Sequence, residues 1–143
     1  MKVEFLILCD AAQVVDGKLY MLGGAWNVHR SPVFPVNVQF GLALAANVEW
    51  EETGRKHPVS VVIADEAGVP LLKLGGELEV GRSAELPRGP QRALIAVNGS
   101  LKLPRPGRYF AQATAGTSTA NLSFDSLLVG KRIGVPPVDQ RSH

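Results

Sequence analysis

LILCDAAQVVDGKLYMLGG, Leu6 to Gly24, is the stretch on which the reading of this chain turns. Three interpretations compete for it: the apolar core of an export signal, a Cys-Asp catalytic start, or two strands joined by a tight turn. Asp16-Gly17 favours the third, because a two-residue type I′ hairpin turn needs positive φ at both central positions and Asp-Gly meets that need. The turn would place Val14 and Val15 beside Lys18 to Leu22. An export signal fits poorly, since Val3-Glu4 follows Lys2 and Asp10 interrupts the apolar run before a signal core is complete. The chain is therefore expected in the cytoplasm. With one cysteine in 143 residues, no internal disulfide framework is possible.

Outward from this stretch the same pattern repeats without an internal sequence repeat. Short apolar runs alternate with turn chemistry supplied by 15 glycines and 10 prolines, a spacing that reads as an all-β sandwich or small barrel. The first strand runs from Val3 to Cys9, with Val3, Phe5, Ile7 and Cys9 expected on one face and Leu6 and Leu8 on the other, so both faces are covered. Gly23 to Val38 reads as a long connection with one short strand. Phe40, Leu42, Leu44, Ala46, Val48 and Trp50 alternate along a clear strand, and Trp50 is expected in the core or on the sheet by that phase. A second hairpin is expected around Glu66-Ala67-Gly68, with Val59, Val61, Ile63, Leu72, Leu74, Leu78 and Val80 inward. Ala93 to Val97 and Leu101 to Leu103 read as two short strands around an Asn98-Gly99 turn. Two closing strands flank Ala115-Gly116-Thr117, the second with Leu122, Phe124 and Leu128 on one side. A turn near Ser83 to Leu86 is the nearest thing to a helix.

The expected architecture is a single-domain antiparallel β-sandwich of about eight strands, jelly-roll or C2-like, over residues 1–134. Residues 135–143 read as a loose tail. Hydrophobic residues at 45% are enough to form one core without metal or disulfide staples. Nothing approaches the apolar length of a membrane span.

Candidate chemistry is sparse. Cys9 sits in strand alternation with Phe5 and Ile7 and reads as a core residue, since a nucleophile needs a base and a depressed pKa. His29, His57 and His143 show no metal-ligand spacing, and no metal or cofactor is expected. Glu51-Glu52 and Asp65-Glu66 fall in turns, Gly23-Gly24 and Gly75-Gly76 belong to no phosphate-binding pattern, and no catalytic residue is assigned. A net charge of +2 argues against nucleic acid, although Arg88, Arg92, Lys102, Arg105 and Arg108 fall in a stretch without acidic residues. Those cations are expected as edge-strand and loop charge. Trp26, His29 and Arg30, in the long connection, are the candidate binding residues, being types that recognition surfaces overuse.

Cys9-Asp10, Gly17-Lys18-Leu19, Leu22-Gly23-Gly24 and Pro106-Gly107-Arg108-Tyr109 together resemble a family of small uncharacterised bacterial proteins. The resemblance spans most of the chain and implies a β-sandwich in a bacterial cytoplasm; it implies no catalytic residues. The expected function is a non-enzymatic module that binds a protein partner or assembles with itself, Ala43 and Ala45 being candidate subunit-interface positions. A small-molecule or carbohydrate site at Trp26, His29 and Arg30 is the alternative, and a Cys9 hydrolase ranks below both.

Overall fold

A computed structural model describes residues 1–82, 85 and 87–130. The expected tail at 135–143 lies outside these residues, as does most of the turn expected near Ser83 to Leu86. Among the described residues there are ten strands: β1 (Lys2–Cys9), β2 (Ala11–Val15), β3 (Lys18–Leu22), β4 (Val28–Ser31), β5 (Val36–Val48), β6 (Lys56–Ala64), β7 (Pro70–Glu79), β8 (Gln91–Leu103), β9 (Gly107–Ala115) and β10 (Ser118–Leu128). They form a three-stranded sheet in the order β1-β5-β8, a five-stranded sheet β4-β10-β9-β6-β7, and the separate hairpin β2-β3. Pairing is antiparallel except between β10 and β4, which run parallel.

The two larger sheets face each other across a core in which Leu8, Leu42, Leu44 and Leu101 meet Val61, Ile63, Tyr109, Ala111 and Phe124. This is the all-β sandwich that the alternation requires. The Asp16-Gly17 turn closes as expected, with φ of 50° and 70° and Val15 opposite Lys18. The hairpin folds back onto the outer face of the three-stranded sheet. There Ala12, Leu19 and Met21 cover Cys9, Ala43, Ile7 and Ala96, forming a second small core. That is why β1 is apolar on both faces.

Several expectations are corrected. A register shift between Val3 and Phe5 moves Val3 to the main core opposite Ala46, leaving Phe5, Ile7 and Cys9 on the outer side. Ala43 and Ala45 are both fully buried within the chain, so they are not an exposed interface. Asn98-Gly99 is not a turn: β8 is one continuous strand paired with β5 from Gln91 to Leu103. Gly99 lies opposite Phe40, and a Cβ there would sit 3.3 Å from the Phe40 ring, so the glycine accommodates an aromatic neighbour instead of bending the chain. Leu74 and Leu128 are 39% and 61% exposed: β7 is an edge strand, and Leu128 is the last residue of β10. Trp50 leaves β5 into a single 3-10 turn (Trp50–Glu52), where the guanidinium groups of Arg82 and Arg88 lie 4.6 and 5.4 Å from its ring centroid.

Candidate functional surfaces

The first surface follows from how the chain enters β4. Gly23 and Ala25 both adopt positive φ, 57° and 65°, and the Ala25 N–H donates to the Leu8 carbonyl at 2.7 Å. This bend turns Trp26 toward the core. Its ring packs edge-on against Phe124 at 5.5 Å, and Phe124 in turn stacks on Tyr109 at 5.5 Å. The Trp26 Nε1–H is buried and meets no acceptor among the described residues. His29 lies opposite Ser126 in the parallel pairing, with its Nδ1 2.9 Å from the Ser126 Oγ. Arg30, one residue on, alternates to the other face and is exposed. Trp26 and His29 are thus engaged with β10 at the rim of the core, while Arg30 faces away from them.

Burial lowers the His29 pKa below its ordinary value of 6.5. The sign follows from linkage: the unfolded chain binds the proton more readily, so this contribution to stability is present above about pH 6.5. It is lost as the pH falls below 6.5 toward the folded pKa. Urea midpoints measured between pH 8 and 5 should fall in that window. In His29→Gln the fall should be smaller; an identical pH profile in both proteins would show that His29 is not held neutral by burial.

The clustered cations do not form one basic face. Arg92 makes a two-pronged contact with Glu4 at 2.8 and 2.9 Å, bridging β1 and β8 across β5. Arg108 pairs with Asp125 at 2.8 Å and Arg105 with Asp65 at 2.8 Å. Asp65 also accepts hydrogen bonds from the Val69 and Ala67 N–H groups, and these contacts, the Val69 bond first, hold its pKa below the ordinary carboxylate value. The Tyr109 hydroxyl donates to the Arg105 carbonyl, so Pro106-Gly107-Arg108-Tyr109 is part of a knot tying the β6–β7 turn to β9.

Cys9 is fully buried beneath the hairpin. Burial, with the nearby Asp10 charge adding to it, raises its pKa, the opposite of the shift a nucleophilic thiol needs. Among the described residues, no group of three or more His, Cys, Asp or Glu side chains is placed to hold a metal ion.

The second surface is the hairpin itself, and sequence reasoning missed it. An isolated two-stranded hairpin is marginal in water, but this one is held from behind by its small core and by Asn98. The Asn98 side chain accepts from the Ala12 N–H at 2.8 Å and donates to the Ala12 carbonyl at 2.7 Å, acting as a one-residue strand neighbour. With one face so anchored, the pairing register turns Ala11, Gln13, Val15, Tyr20 and Leu22 to the other. Tyr20 and Leu22 are 56% and 72% exposed. An open concavity of about 780 Å³ lies along this hairpin, lined by Ala12, Val15, Tyr20, Met21, Leu22 and Asn98 among others. The available signal was Leu19 to Leu22, apolar on both faces in a strand adjoining a hairpin turn.

Fold and surfaces together define an all-β sandwich module with an appended apolar hairpin. The chain belongs to a family of unknown function, DUF6941, whose family model matches residues 4–120. The match takes in all four turn motifs on which the resemblance rested. Among curated proteins no match is found. Among the described residues no helix is long and apolar enough to cross a membrane.

Proposed function

We propose that this protein is a non-enzymatic bacterial cytoplasmic module that works by binding another protein or a further copy of itself, using the outer face of the β2–β3 hairpin. The observation that carries the reading is the exposed Tyr20, Leu22 and Val15 on a hairpin whose other face is anchored by Asn98 and its own small core. Exposed apolar groups grouped on one rigid element favour contact with a partner surface, and tyrosine is a residue type enriched at binding hot spots. Gln13 and Lys18 share the same face and supply a polar rim. A buried, reduced Cys9 accords with a cytoplasmic setting.

The test compares the wild type with Tyr20→Ser/Leu22→Ser. Both side chains are more than half exposed, so folding stability should change by no more than about 0.5 kcal/mol per site. Affinity capture from host lysate and light scattering should show a stoichiometric partner, or a larger assembly, that the double variant loses. Equal association in both proteins would remove the hairpin from the reading, and a monomer that captures no stoichiometric partner would overturn it.

A further inference from the structure

Among the described residues, four strands of the two larger sheets have no strand paired on one side, and three of them are defended. β4 is only four residues long. β1 carries the register shift at Val3, whose N–H donates to the Ser118 Oγ at 3.0 Å. β8 is long, but full-length antiparallel pairing with a copy of itself would set Arg92 opposite Lys102 at both ends. Like charges directly opposite disfavour that pairing. Short strands, bulges and misplaced charge are the ordinary protections of a sheet edge.

β7 is irregular only at its start, where Ile63 pairs with Leu72 and Ala64 with Pro70, so that Leu71 is bulged. From Leu72 to Glu79 its pairing with β6 is regular, and its charges, Lys73, Glu77 and Glu79, are of both signs. The Gly116 N–H donates to the Pro58 carbonyl at 2.9 Å, so the even residues of β6 direct their backbone groups to β9 and the odd ones to β7. Through Val59 opposite Gly76 and Val61 opposite Leu74, the even residues of β7 are spent on β6. The N–H and C=O groups of Lys73, Gly75, Glu77 and Glu79 therefore point to the open edge. Leu72, Leu74 and Leu78 face the same side as the buried Val61 and Ile63. There the sandwich is open: a groove of about 260 Å³ runs between β7 and β8, lined by Leu74, Leu78, Ile95 and Val97 among others.

We propose that β7 is a self-association edge that takes β7 of a second copy, antiparallel and centred on Gly75. This rests on the reading of the protein as a binding or assembly module, and it names the partner and the strand. In that register the outward-directed backbone groups of Lys73, Gly75 and Glu77 in one strand meet those of Glu77, Gly75 and Lys73 in the other, and the regular overlap ends short of the Leu71 bulge. Lys73 stands opposite Glu77 of the second copy on the solvent face, twice by symmetry, and Leu72 stands opposite its Leu78 on the groove side. The Lys56–Glu77 contact within the chain is long, 3.8 Å, and exposed at both ends, so it competes weakly for Glu77. Gly75 meets Gly75 at the two-fold axis, where the closest approach carries no side chains. Two sheets become one, and the second copy's leucines cover the open groove. A single strand pair is smaller than a standard interface, so the dimer is concentration-dependent.

Sedimentation equilibrium across a concentration range tests this, with thermal melts confirming that each variant is folded. The wild type should show a monomer–dimer equilibrium. Lys73→Glu should weaken it about tenfold or more, by replacing two attractive pairs with repulsive ones, and Lys73→Glu/Glu77→Lys should restore it. Gly75→Cys should crosslink under oxidation, since directly opposed hydrogen-bonded residues have Cα atoms about 5.5 Å apart, within disulfide range. Lys73→Cys should not, and Cys9 is buried. A wild type that stays monomeric overturns the proposal. So does a dimer insensitive to Lys73→Glu and uncrosslinked at Gly75. If that dimer is lost instead in Tyr20→Ser/Leu22→Ser, the hairpin reading stands and the β7 assignment falls.

Discussion

Phe124→Ala should destabilise the protein by about 3–5 kcal/mol, the range for deleting a fully buried aromatic ring. Phe124 is 3% exposed and holds two ring contacts at once, the edge of Trp26 and the face of Tyr109. Its loss leaves a cavity at the point where the chain entering β4 rests on β10. Urea unfolding in a Trp50→Phe background would report this cleanly, because Trp26 is then the sole tryptophan. The midpoint should fall steeply and the native Trp26 emission should shift to longer wavelength. Trp26→Phe is the companion measurement. It keeps an aromatic ring against Phe124 and removes a buried N–H that meets no acceptor among the described residues, so its cost should stay within about 1 kcal/mol. A Phe124→Ala protein as stable as the wild type would show that Trp26 is not seated on the core.

Gly41→Val should cost about 3 kcal/mol, at the upper end of overpacking penalties. A Cβ at Gly41 would lie 2.9 Å from the Cys9 Sγ, 3.0 Å from the Asn98 Oδ1 and 3.1 Å from the Ala11 Cα. The last is backbone and cannot swing aside. The branched side chain would push the hairpin away from the sheet and strain the Asn98–Ala12 hydrogen bonds. Reaction of Cys9 with a thiol reagent provides a local readout. In the wild type the buried thiol should react only through opening of the structure, whereas in Gly41→Val the rate should rise by more than the loss of global stability accounts for. Unchanged stability and unchanged Cys9 reactivity would mean that the hairpin does not lie against β5. The same variant should weaken any association that depends on Tyr20 and Leu22, since those side chains are presented by the hairpin that Gly41 admits.

Much of the architecture was legible because it is local. Asp16-Gly17 specifies its turn through backbone sterics confined to two residues, and the alternation from Phe40 to Val48 identifies a strand whatever its neighbours are. Cys9 was readable as a core residue from its phase with Ile7. Val3 was not, because the register shift that turns it inward depends on the partner strand β5. Asn98-Gly99 looked like a turn for a related reason. The dipeptide favours one in isolation, but pairing with β5 along thirteen residues overrides that preference, and the asparagine is used sideways to hold Ala12.

By itself the sequence determined the all-β class, the first hairpin and its turn, and a single cysteine buried in strand alternation. These follow from side-chain period and backbone sterics, which act over a few residues. The tertiary structure alone decided which apolar faces are covered. Ala43 is hidden by the chain's own hairpin, Leu74 is left half open at an edge, and Trp26 and His29 are turned to the core while Arg30 is turned away. Exposure of an apolar residue depends on what is brought against it from elsewhere in the chain, and that is a property of sheet order rather than of local pattern. The candidate binding surfaces, the outer hairpin face and the β7 edge, became visible only at that level.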